Sequence, residues 1–134
     1  MTTTAELRDL PVLAGLSEEA LERVRCIGEL HVEPGQVLAR EDDAGSGAFI
    51  LLDGTVLIEL RNRTFELGPG QVVGELALLV PDSGRVARVR AATHVRCLPI
   101  PREDFLELVE TEPAFAVSLL RELARRLVEV HHER

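Results

Sequence analysis

The sequence predicts a mainly β chain, a sandwich or barrel of short antiparallel strands with helices at both ends. Three observations predict it. Between residues 28 and 100, short apolar or alternating runs are separated by turn chemistry: Pro34-Gly35, Asp42-Asp43-Ala44-Gly45, Asp53-Gly54, Arg61-Asn62-Arg63, Gly68-Pro69-Gly70 and Pro81-Asp82-Ser83-Gly84. No long helical pattern separates those runs, which argues against a parallel α/β sheet. On either side of this zone the apolar spacing switches to the helical period.

Residues 1–27 are the N-terminal helical zone. Leu7, Leu10, Val12, Leu13, Leu16, Ala20, Leu21 and Val24 recur at helical spacing, and Pro11 and Gly15 divide the segment in two. Ser17, followed by Glu18, Glu19 and Ala20, reads as an N-cap and first turn. Within the β zone, Asp53-Gly54 lies between Phe49-Ile50-Leu51-Leu52 and Thr55-Val56-Leu57-Ile58, which predicts a tight hairpin. Residues 101–134 return to helix. Pro101 suits a first helical position, and Thr111-Glu112-Pro113 restarts a longer helix. Ala116, Leu119, Leu120, Leu123, Leu127 and Val130 then form one apolar face, which must pack on the β zone or on a second copy of the chain. The 134 residues read as one domain, without linker or repeat.

Composition narrows the function. The net charge of −8 argues against general affinity for nucleic acid or anionic membranes. Every basic residue other than histidine is arginine, so Walker-type phosphate loops and lysine chemistry are excluded. Tyr and Trp are absent, leaving few residues to stack on bases. Cys26 and Cys97 form no disulfide framework and read as buried free thiols. With no signal peptide and no apolar run of spanning length, a cytoplasmic location is expected. His31 and His94 are expected to stand apart, and His131-His132 to be an exposed helix end, so no metal site is expected. No catalytic triad motif is present, so no enzyme is expected.

Two charges stand out. Glu75 lies inside the apolar run Val72-Val73-Gly74-Glu75-Leu76-Ala77-Leu78-Leu79-Val80. Arg85 opens Arg85-Val86-Ala87-Arg88-Val89-Arg90-Ala91, which alternates like a half-buried strand. Arg85 would share the inward face with Ala87, Val89 and Ala91, while Arg88 and Arg90 point to water. An inward Arg and an embedded carboxylate are costly unless charged or polar groups meet them, and a phosphate with a sugar hydroxyl would satisfy both.

The run from Gly68 to Leu79, followed by Arg85-Val86-Ala87-Arg88-Val89-Arg90-Ala91, resembles the phosphate-binding cassette of cyclic nucleotide-binding domains. That family includes Crp/Fnr-type regulators, the protein kinase A regulatory subunit and cyclic-nucleotide-gated channels. Pro34-Gly35-Gln36-Val37-Leu38 and the run from Gly47 to Val56 are similar to its early strands. The resemblance implies an antiparallel β-roll or jelly roll over residues 28–100, with a cassette at 68–91 between N-terminal and C-terminal helices. It implies that Glu75 accepts from a ribose 2′-hydroxyl and that Arg85 holds the phosphate, which suits a planar donor fork. Gly74 would let backbone approach the ligand, Leu76 and Ala77 would offer helix N–H groups, and Val73 and Val86 would line the site. For Leu67, Val72 and Val73, core packing is the first expectation. Many members carry a hydroxyl or alanine after the phosphate arginine. Val86 cannot donate there, which favours cAMP over cGMP. The polar adenine contact of Crp-type members would fall near Val130. Arg126, a lone arginine on a helix, is expected to be solvated.

The expected function is a cyclic nucleotide sensor that couples ligand to its flanking helices, with no cofactor beyond that ligand. A homodimer through the Leu119-Leu123-Leu127-Val130 stripe is the expected partnership. No helix-turn-helix follows that stripe, so no DNA-binding domain is expected in this chain. Two alternatives compete. In one the pocket is vestigial, Glu75 and Arg85 pair with each other, and the domain is an interaction module. In the other a cupin-type barrel holds a metal, which needs clustered His and carboxylate ligands.

Overall fold

The structure is a computed structural model that describes residues 2–39, 47–60, 63–74 and 88–132. In chain order the elements are α1 (Thr4–Arg8), α2 (Glu18–Ile27), β1 (Leu30–Val32), β2 (Val37–Ala39), β3 (Gly47–Asp53), β4 (Val56–Glu59), β5 (Thr64–Leu67), β6 (Val72–Val73), β7 (Arg88–Ala91), β8 (Val95–Pro101), α3 (Arg102–Thr111) and α4 (Pro113–His132). The strands form two antiparallel four-stranded sheets, ordered β1-β8-β3-β6 and β2-β7-β4-β5. Pairing is concentric: β4 with β5, β3 with β6, β2 with β7, β1 with β8. This is the antiparallel β-roll flanked by helices that the sequence predicts.

The two sheets differ in what covers them, and their sequences follow. The first sheet is buried on both faces. Ala48, Ile50, Val72, Leu98 and Ile100 pack against the helices, with Leu21, Phe105 and Phe115 in the same cluster. Leu51, Val73, Val95 and Cys97 point the other way, into the roll. Burial on both sides explains the unbroken apolar run through Phe49-Ile50-Leu51-Leu52. The second sheet has one wet face and so alternates: Val56 and Ile58 are buried, while Leu57 and Glu59 are only part-buried.

The helices begin where expected. The Ser17 hydroxyl accepts from the Ala20 N–H at 3.1 Å, capping α2. Pro113 opens α4, but Pro101 is the residue before α3 rather than its first helical residue, because it still pairs with Gly47 at the end of β8. Phe105 and Phe115 are fully buried and meet edge to face, with ring centroids 5.7 Å apart.

Four other expectations are corrected. Asp53-Gly54 does not join a hairpin, because β3 and β4 lie in different sheets. Gly54, at φ +90, turns a corner between the sheets, and a side chain there would meet the His94 carbonyl at 2.2 Å. Tertiary packing against the Thr93-His94 turn, with Thr55 N–H donating to the Thr93 hydroxyl at 3.0 Å, overrides the local turn signal. Cys26 is exposed on α2 and only Cys97 is buried, where burial pushes its thiol up to about 11. His31 and His94 do not stand apart: Nδ1 of one lies 3.4 Å from Nε2 of the other. Among the described residues they belong to no group of three or more metal-ligating side chains.

The fourth correction concerns α4. Its buried face is not the leucine stripe alone. Phe115, Leu119 and Glu122 are buried, whereas Leu120 is 67% exposed and Leu127 61% exposed. The helix carries two apolar faces, one on the core and one on solvent.

One carboxylate ties the N-terminal zone to β8. Glu29 accepts from Arg96 Nε at 2.6 Å and from the Thr2 hydroxyl at 2.6 Å. The Arg96 hydrogen bond, and then the Thr2 one, hold its carboxyl down to about 2 from an ordinary 4.5. A depressed folded value stabilises above the unfolded value. That stabilisation is therefore lost as pH falls from about 4.5 towards about 2. Glu29→Gln is expected to lower stability at pH 7 and to flatten its pH dependence across that window. Urea melts at a series of pH values check this; an unchanged acid slope would count against it.

Candidate functional site

β6 and β7 frame the segment that the sequence singles out. β6 is the edge strand of the first sheet and β7 an inner strand of the second, so residues 75–87 connect one sheet to the other. β6 is short because it ends in Gly74, whose φ of +85 turns the chain in a conformation that favours glycine. Val73 is fixed cross-strand from Phe49 and is buried in the roll. Leu67 is buried in the same cluster, whereas Val72 is buried on the helix side. All three are core, as expected, and Val73 lies on the roll face beside half-buried Phe49.

Of the predicted site residues, the structure describes Val73 and Gly74. Glu75, Leu76, Ala77, Arg85 and Val86 lie outside the described residues. The alternation of the following strand is as expected where it is described. Val89 and Ala91 are buried in the roll, while Arg88 and Arg90 lie on the outer face. There Glu59 Oε1 accepts from Arg88 Nε at 2.9 Å and from Arg90 Nε at 3.1 Å. These hydrogen bonds hold the Glu59 carboxyl below its usual range, the Arg90 one foremost. Two of the three arginines in this run are therefore committed to a carboxylate on the face away from the roll.

Sequence reasoning missed a pair on α4. Glu122 Oε2 accepts from the Val72 N–H at 2.9 Å, and Arg126 Nη2 donates both to the Val72 carbonyl and to Glu122 Oε2. Arg126 is not solvated as expected; its side chain is 16% exposed. The available signal was Glu122 three residues after Leu119 and four before Arg126, on the helix face that faces the core.

Comparison with known proteins agrees with this architecture. The family model described as cyclic nucleotide-binding domain matches residues 29–112. The chain belongs to the cyclic nucleotide-binding domain family. It is 32% identical over 118 residues to a cyclic nucleotide-gated potassium channel of Rhizobium etli, covering 87% of this chain and 33% of the channel. It is 30% identical over 135 residues to the cyclic AMP receptor protein of Thermus thermophilus, covering 95% of this chain and 62% of that protein. The solved catabolite activator protein of Thermus thermophilus superposes with a TM-score of 0.73 at 29% identity, covering 92% of this chain and 61% of that one. The chain thus spans a third of the channel and under two thirds of the receptor protein. The fold is of the Crp/Fnr type, and its family is one of regulatory binding domains. Among the described residues, no helix is long and apolar enough to cross a membrane.

Proposed function

We propose that this cyclic nucleotide-binding domain is a sensor that binds a cyclic mononucleotide, cAMP in preference to cGMP. The ligand contacts the segment entered at Gly74 and left at Arg88. What supports the reading is that the sequence places both a carboxylate, Glu75, and an arginine, Arg85, in that segment, while Arg88 and Arg90 are engaged on the outer face by Glu59. Arg85 holds the cyclic phosphate, assisted by N–H groups of Leu76 and Ala77, and Glu75 accepts from the ribose 2′-hydroxyl. Val73 and Val86 offer apolar surface. Val86 has no hydroxyl to meet guanine or phosphate, hence the preference.

Calorimetric titration of nucleotide-stripped protein with cAMP and cGMP tests this. Micromolar or tighter cAMP binding, weaker for cGMP, is expected. Tighter cGMP binding would reverse the selectivity. No heat with either ligand would leave the domain an interaction module with Glu75 and Arg85 as a structural pair.

The domain also pairs with a second copy through α4. The surface that supports this is not the Leu119-Leu123 stripe, which packs on the core, but the outer face with Val117, Leu120 and Leu127. With Ala124, these residues follow the alternating three and four spacing of a coiled-coil seam. Leu120→Glu combined with Leu127→Glu is expected to convert a dimer to a monomer in light scattering without unfolding it. A wild-type chain that stays monomeric at all concentrations would refute the pairing.

A further inference from the structure

An edge strand normally leaves alternate N–H and C=O groups without a neighbour. β6 is such an edge, and the N–H and C=O of Val72 point away from β3: the Leu51 N–H donates to the Gln71 carbonyl at 2.9 Å, so the next pair, Ile50 with Val72, is the one without hydrogen bonds between the strands. Both groups are met by side chains of one helix. Glu122 supplies the acceptor, Arg126 supplies the donor, and the two bond each other. The pair thereby does for Val72 what one residue of an adjoining strand would do. Glu122 is only 8% exposed, so this is an interior arrangement and not a surface ion pair. Two residues after Val72 comes Gly74, where the chain turns left-handed into residues 75–87. Helix α4 is therefore fastened by hydrogen bonds to the backbone that leads into the proposed ligand site.

We propose that Glu122 and Arg126 are positioning residues that couple α4 to the nucleotide site through the backbone of Val72. This rests on the sensor reading and deepens it by naming the connection. A ligand that fixes the backbone from Gly74 onward also fixes Val72, and so favours the state in which α4 is docked. By linkage, docking of α4 raises ligand affinity by the same factor. The connection runs through main chain, so rotamer changes in the core cannot absorb it. A hydrophobic contact between helix and strand would slide; a donor and acceptor matched to one peptide unit set a single register.

The test joins two readouts on the whole chain: amide exchange at Val72 and along α4, and cAMP affinity by calorimetry. In the wild type, cAMP is expected to slow exchange at Val72 and in α4. Glu122→Ala is expected to speed Val72 exchange at least tenfold without ligand and to weaken cAMP binding about tenfold, a typical coupling magnitude. Glu122→Gln keeps a carbonyl acceptor for Val72 and is expected to recover most of both effects. Should Glu122→Ala fail to fold, Glu122→Leu with Arg126→Met keeps the volume without burying a lone charge, and the same loss of affinity is expected. Faster exchange with unchanged affinity would overturn the coupling and leave a staple that only holds the fold. Unchanged exchange would overturn the staple itself. A wild type that binds no cyclic nucleotide is a different failure: it removes the sensor reading, and the coupling with it.

Discussion

Arg85→Ala is expected to weaken cAMP binding roughly 100-fold or more, because removing one partner of a desolvated charge pair costs about 2–5 kcal/mol. Arg88→Ala is the matched control. Its guanidinium already bonds Glu59 on the outer face, so its loss should change affinity by no more than about threefold. Both variants remove one positive charge from neighbouring positions of one segment. A general electrostatic attraction for an anion would therefore weaken both alike. Calorimetry of the two variants, with thermal melts to verify folding, separates these outcomes. Equal losses would sink the assignment of the phosphate to Arg85.

Phe105→Ala is expected to cost about 3–5 kcal/mol, the range for truncating a buried aromatic side chain. The ring is fully buried where α3, α4 and the first sheet meet, and it abuts Phe115 at an interplanar angle of 80°. Against a total stability of about 5–15 kcal/mol, this is the difference between a folded and a marginal chain. The melting temperature should fall by roughly 10–20 °C. A chemical melt showing a loss below about 1 kcal/mol would mean that the helices repack readily around the gap. In that case α3 and α4 would not be held in one posture by this ring pair.

The fold was legible where local chemistry and tertiary packing agree. Ser17 is a cap in sequence and in structure, and the alternation Arg88-Val89-Arg90-Ala91 sorts into outward and inward sides. Asp53-Gly54 misled because a turn dipeptide reports on its own backbone, not on which sheet the next strand joins. The leucine face of α4 misled for a related reason. A periodic stripe predicts burial of apolar residues, but the partner here includes the unpaired edge of β6, which calls for a donor and an acceptor. Glu122 and Arg126 thus occupy positions that hydrophobic patterning would leave to leucine or valine. For the candidate site, the legible part was the burial of Leu67, Val72 and Val73 as core. Cross-strand position, such as Phe49 beside Val73, depends on register and could not be read from spacing.

The concentric order of strand pairing has a kinetic consequence. Among the described residues, only β4 and β5 are both neighbours in sequence and partners in a sheet. That hairpin is the one pairing with a short loop to close, so it is the natural nucleus. Each later pair then brings the next within reach: β3 with β6, β2 with β7, and last β1 with β8. The chain closes like a zip from its middle. On a ribosome β1, β2 and β3 emerge first yet wait for partners made later, and β1 is without its partner residues until 95–97 have been synthesised. A chain arrested before β8 would present apolar strands with open edges, which is the state most exposed to aggregation and to chaperones.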